Sequence, residues 1–173
     1  RVMVVGSIGI DDIETPLHRV AGVLGGSATY ASIGSAFHSS TGMVSIVGQD
    51  FSAERRTVLT DSGIDLTGLQ ISKGKTFRWG GRYRANYDDR DTLFTHLNVL
   101  SGFDPVLPDA YRTVPYVLLG NLSPSAQLKV LDQVNNPKLV VVDTMNFWLE
   151  SVPEEFDAVM AKSDVAVINE QEA

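Results

Sequence analysis

Apolar runs alternate along the chain with segments of helical spacing, and this alternation predicts βαβ units. Residues 2–10 are predicted to form a fully buried strand. Four runs are nearly pure apolar, as expected of parallel strands buried on both faces: residues 2–6, 117–120, 139–142 and 165–168. Helical spacing covers residues 26–37, 51–62, 123–134 and 154–161. The predicted fold class is therefore α/β, with a central, mostly parallel sheet and helices on both faces.

Between residues 75 and 98 the period changes from helical to alternating. Phe77, Trp79 and Tyr83 lie at alternate positions of this segment, with Gly80–Gly81 among them. A glycine pair between alternating segments predicts a hairpin that turns at that pair. We expect a small β excursion from the α/β body.

Composition narrows the function classes. The hydrophobic fraction of 43% and the charged fraction of 20% are those of an ordinary globular protein. The net charge of -7 has the wrong sign for a general nucleic-acid partner, and the absence of Cys excludes a disulfide framework, a thiolate zinc site and a cysteine nucleophile. No run approaches the ~18 apolar residues of a membrane span, so we expect a cytoplasmic protein without a membrane partner.

Both ends of the chain point to a larger protein. The sequence begins with Arg1 rather than Met and stops at Ala173, where a helix starts after a strand-like run. We therefore expect residues 1–173 to be the N-terminal part of a longer chain.

Polar residues follow the predicted strands at the edge where open parallel sheets bind ligands. They are Asp11–Asp12, Gly48–Gln49–Asp50, Asn121, Asp143 with Asn146, and Asn169 with Glu172. Any one of them alone would be interpreted as a cap or a turn residue. Because they share one edge, together they predict a binding site.

Two segments near the N-terminus fit an oxygen-rich ligand. The Asp11 carboxylate could accept hydrogen bonds from two neighbouring hydroxyls of a polyol, although a solvated loop aspartate is the alternative. Gly25–Gly26–Ser27 lets a ligand approach the backbone at the start of a helix. The alternative there is an ordinary helix entry that Ser27 caps.

Asn169 and Glu172 are three residues apart and share a face of a first helical turn. A carboxylate beside an amide can order the hydration shell of magnesium near phosphates. A capping box explains the same spacing equally well, with Asn169 as the cap and Glu172 reaching back.

Four of these segments, taken in order, resemble the ribokinase-like sugar and nucleoside kinase family of the phosphofructokinase-B type. Residues 5–11 (Val-Gly-Ser-Ile-Gly-Ile-Asp) resemble the first strand of the family, and residues 25–31 (Gly-Gly-Ser-Ala-Thr-Tyr-Ala) its double-glycine signature. Residues 46–51 are similar to its Val-Gly-x-Asp segment, and Asn169 with Glu172 to its Asn-x-x-Glu motif. The resemblance covers the chain essentially from end to end.

The resemblance implies an ATP-dependent kinase that phosphorylates a hydroxymethyl group and uses Mg²⁺. A sugar or nucleoside would lie between the body and a small β lid built from residues of about 12–24 and 75–98. Asp11, Gly25 and Gly26 would hold substrate hydroxyls, while Asn169 and Glu172 would organise magnesium and phosphate. Further candidates are Ser27, Tyr30 and Asn121 for substrate binding, and Phe77, Trp79 and Tyr83 in the lid.

The catalytic base of the family lies in a Gly-Ala-Gly-Asp motif that is absent here. We therefore expect no catalytic residue in this span, a base beyond Ala173, and most of the ATP pocket in the same missing part. Residues 1–173 alone are predicted to be inactive. An exposed edge of the lid could pair with a second lid in a homodimer or stay covered.

The substrate class remains open between alternatives. Tyr30 and Gly9 depart from the ribokinase branch, and the Gly25–Gly26–Ser27 segment is more like the adenosine kinase branch. Aromatic lid side chains could stack on a nucleobase, which favours a nucleoside, or they could pack the lid against the body. The segment Asp143-Thr144-Met145-Asn146 resembles fructokinase-like members and favours a ketose or sugar acid. A non-catalytic sensor that binds a sugar or nucleotide is the alternative from another class.

Overall fold

The computed structural model describes residues 1–87, 89–170 and 172. Its strands and α-helices follow one another in the order β1 (Val2–Val5), β2 (Gly9–Glu14), β3 (Arg19–Gly25), α1 (Ser27–Ala36), β4 (Thr41–Gly48), α2 (Ala53–Asp61), β5 (Ile64–Ser72), β6 (Phe77–Tyr83), β7 (Arg90–His96), β8 (Tyr116–Leu119), α3 (Pro124–Leu131), β9 (Leu139–Asp143), α4 (Asn146–Ser151), α5 (Pro153–Met160) and β10 (Val165–Val167). In these residues, no helix combines the length and the apolar character needed to cross a lipid bilayer.

Six parallel strands form the larger sheet, in the order β10-β9-β8-β1-β4-β5. Side chains of β1, β4 and β8 alternate between two buried clusters, one on each face. Met3 and Val5 join the cluster that packs against α3 and α5, whereas Val4 joins the cluster that includes Ala28 of α1. This arrangement confirms the predicted α/β class with a sheet covered on both faces.

The predicted strand over residues 2–10 is wrong in one respect, because it belongs to two sheets. β1 ends at Val5, and β2 starts at Gly9 in a second sheet. Between them Ser7 exchanges hydrogen bonds with Ser27 of α1 instead of a neighbouring strand. Both halves of the run are buried, so hydrophobicity alone carries no sign of the break.

The second sheet, called the small sheet below, has the order β3-β2-β6-β7. Its two hairpins, β2–β3 and β6–β7, join through the parallel pair β2–β6. The predicted turn at Gly80–Gly81 is wrong, since both glycines lie inside β6. A Cβ atom on Gly80 would be 2.3 Å from the Phe94 ring, and one on Gly81 would be 2.0 Å from the Trp79 ring. These glycines make room for aromatic rings, and the chain reverses near Arg84, whose N–H donates to Asp89.

Arg55 and Asp50 are among the side chains of the body that fasten the small sheet. Arg55 on α2 donates to the carbonyl of Gly22 at 3.0 Å. Asp50, which the sequence placed among the candidate edge residues, accepts from the N–H and the hydroxyl of Thr76, both at 2.7 Å. Asp50 therefore positions the segment that leads into β6, and its carboxylate stabilises the fold.

Candidate functional site

A cavity of about 390 Å³ lies at the carboxyl ends of β8, β9 and β10. Its polar lining residues are Ser27, Arg90, Asn121, Asp143, Thr144, Asn169 and Glu172. The fold thus brings together five of the residues singled out as candidates, namely Ser27, Asn121, Asp143, Asn169 and Glu172. It adds Arg90, which the sequence pattern did not single out.

Asp11 lies in the middle of the small sheet, opposite Val23 of β3 and Trp79 of β6. Its Oδ1 atom is buried and accepts no hydrogen bond from the described residues. Burial, together with the neighbouring charge of Asp12, raises the pKa of Asp11 to about 6. A buried acceptor without a donor is unusual in a folded protein and indicates a place for a hydroxyl or N–H from outside.

Glycines on both neighbouring sides leave space for this carboxyl group. A Cβ atom on Gly25 would lie 2.0 Å from Oδ2 of Asp11, and one on Gly9 would lie 2.9 Å from Oδ1. Gly26 has a φ of 99°, and a Cβ atom there would be 2.3 Å from the carbonyl oxygen of Ser7. The double glycine therefore serves two needs, room for Asp11 and a left-handed turn into α1.

Asp12, the next residue, has a different environment. Its carboxylate accepts from the N–H of Gly22 at 2.8 Å and from Arg78 at 2.9 and 3.1 Å. The N–H of Gly22, with a further contribution from Arg78, lowers the pKa of Asp12. Because successive residues of a strand point to opposite faces, Asp12 stabilises one face of the small sheet while Asp11 stays open on the other.

Ser27 fixes the start of α1 at the sheet edge. Its Oγ accepts from the N–H of Ser7 at 3.1 Å, and Cβ atoms on Gly6 and Gly120 would lie 2.6 and 2.8 Å from it. The interpretation of Ser27 as a helix cap is wrong, since Gly26 is the cap residue and no side chain caps the helix. The hydroxyl instead hydrogen-bonds to Ser7 and packs against Gly6 and Gly120, the glycines that follow β1 and β8.

Asn121 and Asp143 form a linked pair at the ends of β8 and β9. The N–H of Asn121 donates to Asp143 Oδ2 at 3.1 Å, and Trp148 Nε1 donates to Asn121 Oδ1 at 2.9 Å. Burial, and secondarily the charge of Glu172, raises the pKa of Asp143. The side chain of Asn121 is therefore oriented by α4, an element that the sequence pattern did not predict.

Gln127, which the sequence pattern did not single out, hydrogen-bonds to the backbone on either side of this pair. Its Nε2 donates to the carbonyl of Gly120 at 3.0 Å and to that of Asp143 at 3.1 Å, and the side chain is fully buried. The signal that could have revealed it is a polar residue between Ala126 and Val130 on the apolar face of a predicted helix.

Asn169 and Glu172 make the contacts of a capping box. The N–H of Glu172 donates to Asn169 Oδ1 at 3.1 Å, and the N–H of Asn169 donates to Glu172 Oε2 at 3.0 Å. Both residues also line the cavity. These hydrogen bonds confirm the interpretation of the two residues as a capping box, and the predicted role toward magnesium and phosphate stays a prediction.

The aromatic candidates Phe77, Trp79 and Tyr83 share the face of the small sheet that carries Asp11, which we call the cleft face. The Trp79 ring lies over Gly81, and its Nε1 donates to Thr92 at 3.4 Å. Tyr30 is different, because it is 64% exposed and its hydroxyl donates to the carbonyl of Leu24. The structure does not bring Tyr30 into the lining of the cavity.

Solved structures provide the relationship to known proteins. The chain is similar to a nucleoside kinase of Methanocaldococcus jannaschii (TM-score 0.75, 17% identity, 99% of this chain and 61% of the other). It is also similar to a ribokinase from Cryptococcus neoformans in complex with ADP (0.78, 18%, 99% and 57%). A third similar structure is an E. coli protein assigned as ribokinase II, in complex with ATP and Mg²⁺ (0.73, 18%, 99% and 63%).

Comparisons with family models and with curated proteins gave no match. The chain spans about 57 to 63% of the length of these three solved structures, while 99% of its own length is matched. Since the similarity extends over both sheets, the chain has the ribokinase-like fold.

Proposed function

We propose that the intact protein is an ATP-dependent kinase that phosphorylates a hydroxymethyl group of a sugar or nucleoside. The observation that carries this proposal is the buried Oδ1 of Asp11, which has no donor among the described residues and lies in a space that glycines leave open. Neighbouring hydroxyls of one sugar ring would supply the two donors that this carboxylate lacks. Asp11, Gly25 and Gly26 are thus the proposed acceptor site.

The cavity beyond Ser27 is the proposed phosphate side. Among the described residues, no group of three His, Cys, Asp or Glu side chains could hold a metal ion directly. Asp143 and Glu172 with the amides of Asn121 and Asn169 nevertheless fit a hydrated Mg²⁺, which keeps several waters and binds through one or two carboxylates plus phosphates. When bound, ATP with Mg²⁺ would supply the phosphoryl group.

The residues of this chain would act by positioning and by excluding water. Asp11 would fix the acceptor ring, the cleft face of the small sheet would cover it as a lid, and Asn169 and Glu172 would orient the hydrated metal. Phosphoryl transfer needs little covalent chemistry from a protein, so positioning and charge stabilisation make up most of the catalysis. We place the catalytic base beyond Ala173, and residues 1–173 alone are expected to be inactive.

A nucleoside is the favoured acceptor because of Trp79. Its ring rests on Gly81 and is held by Thr92, both in the small sheet, so the indole is a fixed platform beside Asp11. An aromatic platform of this kind stacks on a nucleobase. A ketose or sugar acid is the second candidate, since Oδ1 of Asn146 is buried without a partner among the described residues and follows β9.

The test is ADP release by the intact protein with Mg²⁺ and ATP, over nucleosides, ribose, ketohexoses and sugar acids. Asp11→Asn should lower kcat/KM by at least about 100-fold. Asp132→Asn, the same change in an exposed residue paired with Lys162, should stay within about twofold. Acceptor binding without turnover by the wild-type protein would replace the kinase with a sensor, and equal activity of both variants would contradict the role of Asp11.

A further inference from the structure

Five arginines lie in the small sheet or at its turns, and four of them pair with carboxylates. Arg19 and Arg82 pair with Glu14 at 3.2 and 2.8 Å. Arg78 pairs with Asp12 at 2.9 Å, and Arg84 pairs with Asp91 at 2.6 Å. The fifth, Arg90, has a side chain that makes no ion pair or hydrogen bond with any residue the structure describes.

The register of the small sheet explains the difference. Arg90 at the start of β7 pairs with Tyr83, whereas its neighbour Asp91 pairs with Arg82. Paired residues of neighbouring strands share a face, and Tyr83 is on the cleft face while its neighbour Arg82 is on the opposite face. Arg90 therefore lies on the cleft face with Trp79 and Asp11. Arg78 and Arg82, with their carboxylate partners, lie on the opposite face.

Arg90 extends over the sheet edge, where it lines the cavity together with Ser27, Asp143 and Glu172. Among the described lining residues it is the one cation, and it faces two carboxylates. The whole chain carries a net charge of -7. A polyphosphate in this cavity would be repelled by Asp143 and Glu172 unless cations stood beside it, and a guanidinium binds phosphate oxygens through two parallel hydrogen bonds.

We infer that Arg90 is a phosphate-binding residue that the small sheet carries to the donor polyphosphate. The inference rests on the proposed function for the identity of that donor. The position favours the donor over the acceptor, because Arg90 shares its cavity with Asn169 and Glu172, while Asp11 is not among the residues that line it. Because Arg90 belongs to the small sheet, which would cover the site, phosphate binding by Arg90 would also favour the covered state.

The experiment measures binding of magnesium tripolyphosphate and of MgATP to the intact protein by calorimetric titration. Arg90→Met should weaken binding of both probes by at least about tenfold, and Arg90→Lys should recover part of the loss because it keeps the charge without the planar fork. Arg82→Met is the matched control, since it removes an arginine from the opposite face of the same sheet. It should leave both affinities within about twofold.

Thermal unfolding of each variant checks that it is folded, and if Arg90→Met is unfolded, Arg90→Gln takes its place. Equal tripolyphosphate affinity in the Arg90 and Arg82 variants would overturn the inference. A raised KM for the acceptor alone, with unchanged tripolyphosphate binding, would also overturn it and would move Arg90 to the acceptor site.

The same proteins separate this inference from the proposed function. If the wild-type protein binds tripolyphosphate through Arg90 but phosphorylates no acceptor, the kinase proposal fails and the inference stands. If the wild-type protein turns over and Arg90→Met equals Arg82→Met in binding and turnover, the inference fails and the kinase stands. A wild-type protein that binds neither probe overturns the inference.

Discussion

Gly25 and Asp11 lie on neighbouring strands so close together that a single methyl group on Gly25 would collide with the Asp11 carboxyl, 2.0 Å from Oδ2. The Asp11 carboxyl can occupy its position because Gly25 has no side chain. A side chain at 25 would have to push Asp11 out of its place or separate β3 from β2.

Gly25→Ala should therefore damage both stability and the site. We expect a loss of about 2 kcal/mol in the free energy of unfolding and, in the intact protein, loss of acceptor binding. Gly34→Ala is the matched control, because a Cβ atom there meets no atom within 4 Å and the residue lies inside α1. That control should gain up to about 1 kcal/mol. Denaturant unfolding measures the free energy of unfolding of both variants. Equal stability of the two would contradict the packing argument.

The raised pKa of Asp11 predicts a stability that depends on pH. Its pKa is about 6 in the folded chain and 3.8 as the ordinary value. The folded state thus holds the proton more tightly, so the stabilisation is complete below pH 3.8 and is lost as the pH rises through about 6. Solvent contact limits the effect to about 1 kcal/mol.

Asp11→Asn cannot lose a proton, so the wild-type protein should lose stability relative to this variant between pH 4 and pH 8. Unfolding at several pH values measures the difference, which isolates Asp11 from Asp12, Asp143 and the other carboxyls that also titrate. A difference that is constant across the range would show that Asp11 keeps its ordinary pKa.

Gln127→Leu tests the support beneath Asn121 and Asp143. The change removes the buried donor to the carbonyls of Gly120 and Asp143, so we expect a loss of about 1 to 3 kcal/mol. Gln70→Leu, which loses one exposed hydrogen bond to Asp104, should cost less than about 1 kcal/mol. Chemical denaturation compares the two variants, and similar losses would argue against a special role for Gln127.

Arg55→Met should loosen the small sheet while leaving the larger one intact, because Arg55 links α2 to Gly22. Amide hydrogen exchange in residues 19–25 should become about fivefold faster, and exchange in β1 and β4 should not change. Arg56→Met is the control, since among the described residues the Arg56 side chain donates to the carbonyl of Phe51, beside its own helix. Faster exchange in β1 as well would indicate global destabilisation instead.

The sequence predicted the larger sheet well, because strands buried on both faces leave long apolar runs such as that at residues 139–142. It failed where burial continues across a break, as between Val5 and Gly9. It also misread Gly80 and Gly81, since a glycine that makes room for a ring looks the same in sequence as one that makes a turn. Arg90 and Gln127 were missed because their importance comes from register and from distant backbone, which one-dimensional spacing does not contain.

The parallel pairing of β2 with β6 has a consequence for synthesis on the ribosome. The hairpin β2–β3 is complete at residue 25, but the strand that pairs with the other edge of β2 begins only at Phe77. That edge of β2 therefore stays unpaired while about fifty further residues are synthesised. An open strand edge is a site of mispairing with other chains. Three of the six residues of β2 are acidic, namely Asp11, Asp12 and Glu14. Their mutual repulsion would discourage two nascent chains from pairing along that edge before β6 arrives.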